Sequence, residues 1–172
     1  MSKKYVLALF LVITSLMVAP AYGDAALAGL DLKNQRQASA TVTTGAQPSK
    51  EQLAMAAKAG VKHVVNLRSR NEKPFDEEQV VTSLGMQYHS LPIAGVDDLT
   101  RANADKFKAL LDGIGDEKVL AHCASGNRVG ALRALSAFYH DGADTDTAIA
   151  TGKAWGMTRL EPAVRKVMAA KP

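Results

Sequence analysis

Lys118-Val119-Leu120-Ala121-His122 passes through six residues, Cys123-Ala124-Ser125-Gly126-Asn127-Arg128, before an alanine-rich stretch runs from Val129 to His140. A short strand that turns so abruptly into a helix is the repeating unit of an α/β domain, where each strand hands the chain to a helix packed on the sheet. The alternation recurs from about residue 40 onward. Thr41-Val42-Thr43-Thr44 is a short strand, and Gly45 to Pro48 a turn. Ser49 followed three residues later by Gln52 has the spacing of a capping box, and the helix it opens carries Leu53, Met55, Ala56 and Ala59 up to a stop at Gly60.

Val61 to Arg68 is rich in β-branched residues and reads as a strand. A polar loop over 69–74, a helix over 75–84 and a second strand from Met86 to Leu91 follow, with Pro92 ending the strand. Phe107, Leu110, Leu111 and Ile114 fall on one helical stripe. Two more helices are expected around Thr145–Ala154 and Pro162–Ala170, the second with proline in its first turn. Residues 24–39 have weak periodicity and read as a lead-in, partly helical at Ala25–Leu30.

The first 23 residues have the layout of a secretory signal. Lys3 and Lys4 give a positive start, Tyr5 to Val18 form an apolar run, and Ala21 and Gly23 supply small residues for a cut ahead of Asp24. The run is short of the roughly 20 residues that span a bilayer, although an uncleaved anchor stays open as the alternative. Cleavage would reduce 21 basic residues to 19 against 17 acidic, so the net charge falls from +4 to +2. No basic run interleaved with aromatics is present, which removes the basis for a nucleic-acid partner. The expected location is periplasmic or secreted, with no stable membrane association after cleavage.

Export makes the lone thiol conspicuous. One cysteine excludes an internal disulfide framework and any multi-cysteine metal centre. Cys123 lies between a strand and a helix, where unpaired backbone amides converge and favour an anion. Such surroundings lower a thiol pKa from about 8.5 toward 3.5–7.5. Gly126 lets the loop turn inward as an anion nest, with Ala124, Ser125 and Asn127 completing it, and Arg128 adds a planar fork of donors.

His122 through Arg128 resembles the active loop of dual-specificity cysteine phosphatases, whose motif is His-Cys-x-x-Gly-x-x-Arg. It is closer still to bacterial beta-lactamase-hydrolase-like proteins, whose phosphatase-like domain carries Cys-x-x-Gly-x-Arg. Gly45-Ala46-Gln47-Pro48-Ser49, Val64-Val65-Asn66-Leu67-Arg68 and Leu91-Pro92-Ile93 also match that family, so the resemblance covers residues 40–170. It implies an α/β, three-layer cysteine-phosphatase-like domain over 40–172: a central sheet of four to five mostly parallel strands with helices on both faces. It also implies a general-acid aspartate in the region of Asp97 and Asp98. Those two residues equally suit capping the helix that follows, as does Thr100.

Two departures from the phosphatase pattern bear on the chemistry. Phosphatases place five residues between Cys and Arg, and here there are four. A Ser or Thr normally follows the Arg, and here Val129 does. Rhodanese-type sulfurtransferases use a similarly short loop, which suits a sulfane sulfur on the thiolate. These departures favour sulfur chemistry, whereas the resemblance implies a cysteine-thiolate enzyme hydrolysing phosphate esters through a phosphocysteine, and that is the leading expectation. Its alternatives are a persulfide-carrying sulfurtransferase and a non-catalytic anion-binding module. Cys123 is the nucleophile and Arg128 the anion clamp, while His122 supports the loop from the opposite side of the strand. The substrate is a phosphorylated or sulfane-sulfur small molecule or protein. No cofactor is expected, and His63, His89 and His140 lack metal-ligand spacing. Arg68 is left outside the candidate set, and Trp155 is assigned to the core.

Overall fold

The computed structural model describes Leu27, residues 29–72 and residues 74–170. The secretory signal expected over residues 1–23 lies outside the described residues. Five strands form one sheet: β1 (Arg36–Gln37), β2 (Val42–Gly45), β3 (His63–Asn66), β4 (Gln87–Ser90) and β5 (Val119–His122). Their order is β1-β2-β5-β3-β4, parallel throughout except for β1, which runs antiparallel to β2. Among the described residues these helices accompany them: α1 (Lys50–Lys58), α2 (Glu77–Ser83), α3 (Arg101–Ile114), α4 (Asn127–His140), α5 (Thr145–Ala154) and α6 (Glu161–Ala169).

The strands are only four residues long at the centre, and side-chain alternation divides them between two cores. On one face Val64 and Leu120 meet Leu53 and Ala56 of α1 and Val81 of α2. On the other, Val65, Leu67, Val119 and Ala121 meet Phe107 of α3, Leu132 and Leu135 of α4, Ile149 of α5 and Val164 of α6. The expected three-layer arrangement is therefore present, with β5 at its centre and Cys123 one residue beyond that strand.

Local chemistry sets the helix ends. Ser49 Oγ accepts the Gln52 amide at 3.2 Å while Gln52 Oε1 accepts the Ser49 amide at 2.9 Å, the reciprocal pair read from the sequence. Thr100 caps α3 and Asp144 caps α5 through their side chains. The start of α4 differs, because it follows Gly126 in the left-handed region (φ 80°) and has no side-chain cap. Its opening amides are left for another acceptor.

The described residues of the lead-in are part of this packing. Leu27, Leu30 and Leu32 are buried in the α1–α2 core, and Gln52 Nε2 donates to the Leu30 carbonyl at 2.8 Å. β1 is a strand where the sequence carried no strand signal, since both of its residues are exposed. Trp155 is buried and meets Phe107 edge to face, as a core residue. α4 and α5 touch at Gly130 and Gly152, where a Cβ on Gly130 would lie 2.3 Å from the Met157 amide nitrogen. That contact holds the start of α4 against the turn that follows α5.

Candidate active site

The strand β5 ends at His122, and Cys123 follows with its side chain fully buried. The Ser125 amide points back at the Cys123 sulfur, at 3.5 Å. Ala124 is exposed, Ser125 half-buried and Gly126 buried. Gly126 in the left-handed region followed by helical Asn127 is the backbone pairing that makes successive N–H groups converge. The Asn127 side-chain oxygen is engaged elsewhere, accepting the amides of Thr158, Arg159 and Leu160 at 2.8, 3.2 and 3.4 Å. This side chain thus ties the loop to the start of α6. Val129, standing where phosphatases carry a hydroxyl, is fully buried in the core.

Arg128 is held by three hydrogen bonds. Its Nη1 and Nη2 donate to the two carboxylate oxygens of Glu72 at 3.1 and 2.6 Å, and Nη1 also donates to the Ile93 carbonyl at 2.6 Å. A guanidinium has five N–H donors. These bonds use three, and the remaining two lie along the Nε–Nη2 edge with no protein acceptor among the described residues. That edge is the geometry that grips two oxygens of a tetrahedral oxyanion. The bond to Glu72 keeps Arg128 protonated above its ordinary value against the opposing effect of burial, and charge at Cys123 adds to it.

Glu72 carries no sequence signature that marks it as a partner of Arg128. It closes a short 3-10 turn, Arg70–Glu72, in the polar loop after β3, a place without periodicity or motif. Arg68 Nε lies 3.7 Å from Glu72 Oε2, and Arg68 Nη1 donates to Gln47 Oε1 at 2.9 Å, so this arginine also faces the site's anchor. The Arg128 bond holds the Glu72 carboxyl below its usual range despite partial burial, with help from Ser69 and Arg68. A carboxyl depressed on folding stabilises the protein above its unfolded pKa of about 4.3, and that contribution disappears as pH falls through the lower folded value. Glu72→Gln is therefore expected to flatten the acid limb of stability, measured as the urea midpoint between about pH 3 and 6. An acid limb identical to that of the wild type would show that Glu72 is not responsible.

Behind the loop, His122 faces the α1–α2 side, as strand alternation requires. Its Nε2 sits 2.9 Å from Glu77 Oε1, at ion-pair distance but off the N–H axis, with both side chains fully buried. Glu77 Oε2 accepts Asn66 Nδ2 at 2.5 Å, and Asn66 Oδ1 accepts the Arg68 amide at 2.7 Å. One buried carboxylate thus joins the ends of β3 and β5.

Asp97 and Asp98 lie in the 3-10 turn Val96–Asp98. Asp98 Oδ2 accepts the Ala94 amide at 2.7 Å, and Thr100 rather than either aspartate caps α3. Asp97 is exposed beside a groove lined by Tyr139, Lys166 and Val167. No hydrogen bond or ion pair joins either aspartate to Cys123 or Arg128 among the described residues. His63 and His89, far apart in sequence, are neighbours across β3 and β4, with Nδ1 and Nε2 3.0 Å apart. Among the described residues no group of three or more His, Cys, Asp or Glu is arranged to hold a metal ion.

A central parallel strand delivers Cys-x-x-Gly-x-Arg to an uncapped helix start, in an α/β fold like that of the cysteine phosphatases. Solved structures share this fold. Tk-PTP in its active form superposes with a TM-score of 0.62 at 19% identity, covering 81% of this chain and 98% of that one. TpbA of P. aeruginosa gives 0.63 at 20% identity, over 81% of this chain and 86% of that one. A cysteine-to-serine variant of TpbA, solved in complex with phosphotyrosine, gives 0.54 at 20% identity, over 80% and 91% of the two chains. In sequence the chain resembles the beta-lactamase hydrolase-like proteins of two Xylella fastidiosa strains, Temecula1 and 9a5c. To each it is 29% identical over 115 residues, 64% of this chain and 26% of theirs. The chain thus spans about a quarter of the length of the curated relatives it matches. No family model matches the chain.

Proposed function

We propose that the protein is an exported cysteine-thiolate phosphatase that hydrolyses phosphate monoesters through a phosphocysteine. The observation carrying this reading is Arg128, whose outer edge is anchored on Glu72 and Ile93 while its Nε–Nη2 edge is free for an oxyanion. In this mechanism the Cys123 sulfur attacks phosphorus, the ester oxygen leaves with a proton, and water then cleaves the S–P bond to release phosphate. The loop amides and Arg128 bind the equatorial oxygens as charge develops. Asp97 is the proposed acid, since Asp98 is committed to the Ala94 amide. The complex of the TpbA variant with phosphotyrosine supports a phosphorylated substrate for a loop on this fold. Export to the periplasm or beyond rests on residues 3–23 and is checked by sequencing the mature N-terminus, expected at Asp24.

The four-residue spacing between Cys123 and Arg128 favours a second reading, sulfur transfer through a Cys123 persulfide. One paired experiment separates the two. Intact-mass measurement of the reduced protein before and after thiosulfate is run beside hydrolysis of an aryl phosphate. Hydrolysis without sulfur uptake is expected, and Asp97→Asn should slow it by about 100-fold for a poor leaving group. Gain of one sulfur without hydrolysis overturns the phosphatase reading.

A further inference from the structure

We propose that Asn34, in the stretch ahead of β2, is the positioning residue that turns the amides of the 123–128 loop toward the thiol. The inference rests on the reading of that loop as an oxyanion cradle. Asn34 uses both protons of its side-chain amide, donating to the Ser125 carbonyl and to the Gly156 carbonyl at 2.9 Å each. These bonds reach 91 and 122 residues along the chain, so one side chain ties the catalytic loop to the turn after α5.

The consequence for the loop follows from peptide planarity. In a trans peptide the C=O and the next N–H point in opposite directions, and no cis bond occurs among the described residues. Holding the Ser125 oxygen on Asn34 therefore sends the Gly126 N–H the other way. The Ser125 N–H already reaches the Cys123 sulfur, and the left-handed to helical step at Gly126–Asn127 makes the following amides converge with it. Without that anchor the peptide between Ser125 and Gly126 is free to flip. A flip would present a carbonyl where the cradle needs a donor.

Asn34 is itself braced for this task. It holds a left-handed conformation (φ 56°), which asparagine tolerates better than most residues. Its neighbours are fixed, since Leu32 is buried, the Gln35 amide donates to the Leu32 carbonyl at 3.0 Å and the Ala46 amide donates to the Lys33 carbonyl at 2.9 Å. Its Nδ2 fits closely against two left-handed glycines. A Cβ would meet it at 3.1 Å from Gly126 and at 3.3 Å from Gly156.

The test compares Asn34→Gly with Gln35→Ala in the full chain. Glycine keeps the left-handed backbone and removes the side chain with its two donors, whereas Gln35→Ala removes bonds to Leu32 and Leu27 in the same stretch without touching the loop. Three quantities are read: urea stability, the alkylation rate of Cys123 by iodoacetamide at pH 6, and the affinity for orthovanadate. The expected result is comparable stability in both variants, with alkylation and vanadate affinity each reduced about 10-fold only in Asn34→Gly. Asn34→Asp, which sets a carboxylate against two carbonyls, should be at least as impaired. Unchanged alkylation and affinity in Asn34→Gly, or equal losses in Gln35→Ala, overturn the proposal. Neither readout needs turnover. A wild type that hydrolyses no ester but shows these shifts loses the phosphatase reading and keeps this one, and an active enzyme indifferent to Asn34 does the reverse.

Discussion

Cys123→Ser is expected to lower kcat for phosphate-ester hydrolysis by about 10,000-fold or more while leaving KM nearly unchanged. The backbone that places position 123 is set by β5, by the Asn127 bonds to residues 158–160 and by α4, none of which involves the sulfur. The serine variant should therefore fold and still bind the oxyanion. It lacks activation, because a hydroxyl needs a base to become a nucleophile at neutral pH. The histidine beside it, His122, is directed to the other face of the sheet toward Glu77. Steady-state kinetics with an aryl phosphate, alongside a binding measurement for orthophosphate, check both halves. Activity retained within about 10-fold of wild type would remove Cys123 from the reaction.

Arg128→Lys is the second large effect, with kcat expected to fall by about 100- to 1,000-fold. A single ammonium cannot reproduce the arrangement in which one edge of the guanidinium grips Glu72, a corner holds the Ile93 carbonyl and the other edge keeps two donors for an oxyanion. Lysine keeps the charge, so simple attraction of an anion should persist and KM should rise less than kcat falls. Glu72→Gln should show a smaller kinetic loss, because Gln can accept one of the two guanidinium bonds and the free edge remains. If lysine supports turnover as well as arginine, the bidentate edge has no role in the transition state.

The parts of this molecule legible in sequence are those written in neighbouring residues. The Ser49–Gln52 box, the stripe along α3 and the Cys-x-x-Gly-x-Arg loop each depend on spacings of a few positions. Glu72 was invisible because its partner lies 56 positions away and its own surroundings are a polar loop. Asn34 was hidden for the same reason, in a stretch whose strand β1 has two exposed residues and no alternation. Asn127 shows the converse. Its place in the motif pointed to the anion, yet three amides at residues 158–160 claim its oxygen. The choice among Asp97, Asp98 and Thr100 as cap could not be made from residue type, since all three suit it. Backbone direction selects Thr100, whose hydroxyl accepts the Asn103 amide at 3.2 Å.

The thiol sits near the middle of a web whose other strands come from residues 34, 72, 93 and 156–160. Closing contacts between such distant positions costs chain entropy that local helices never face, so these contacts form late relative to α3 or α4. The peptide that carries Cys123 can be complete, and even flanked by a formed helix, while its amides still lack direction. On the proposed mechanism, turnover is expected to return only with the last of these long-range contacts during refolding. A chain that has collapsed without docking residues 34 and 156–160 on the 123–128 loop lacks the bonds that orient that loop, whatever the state of its helices.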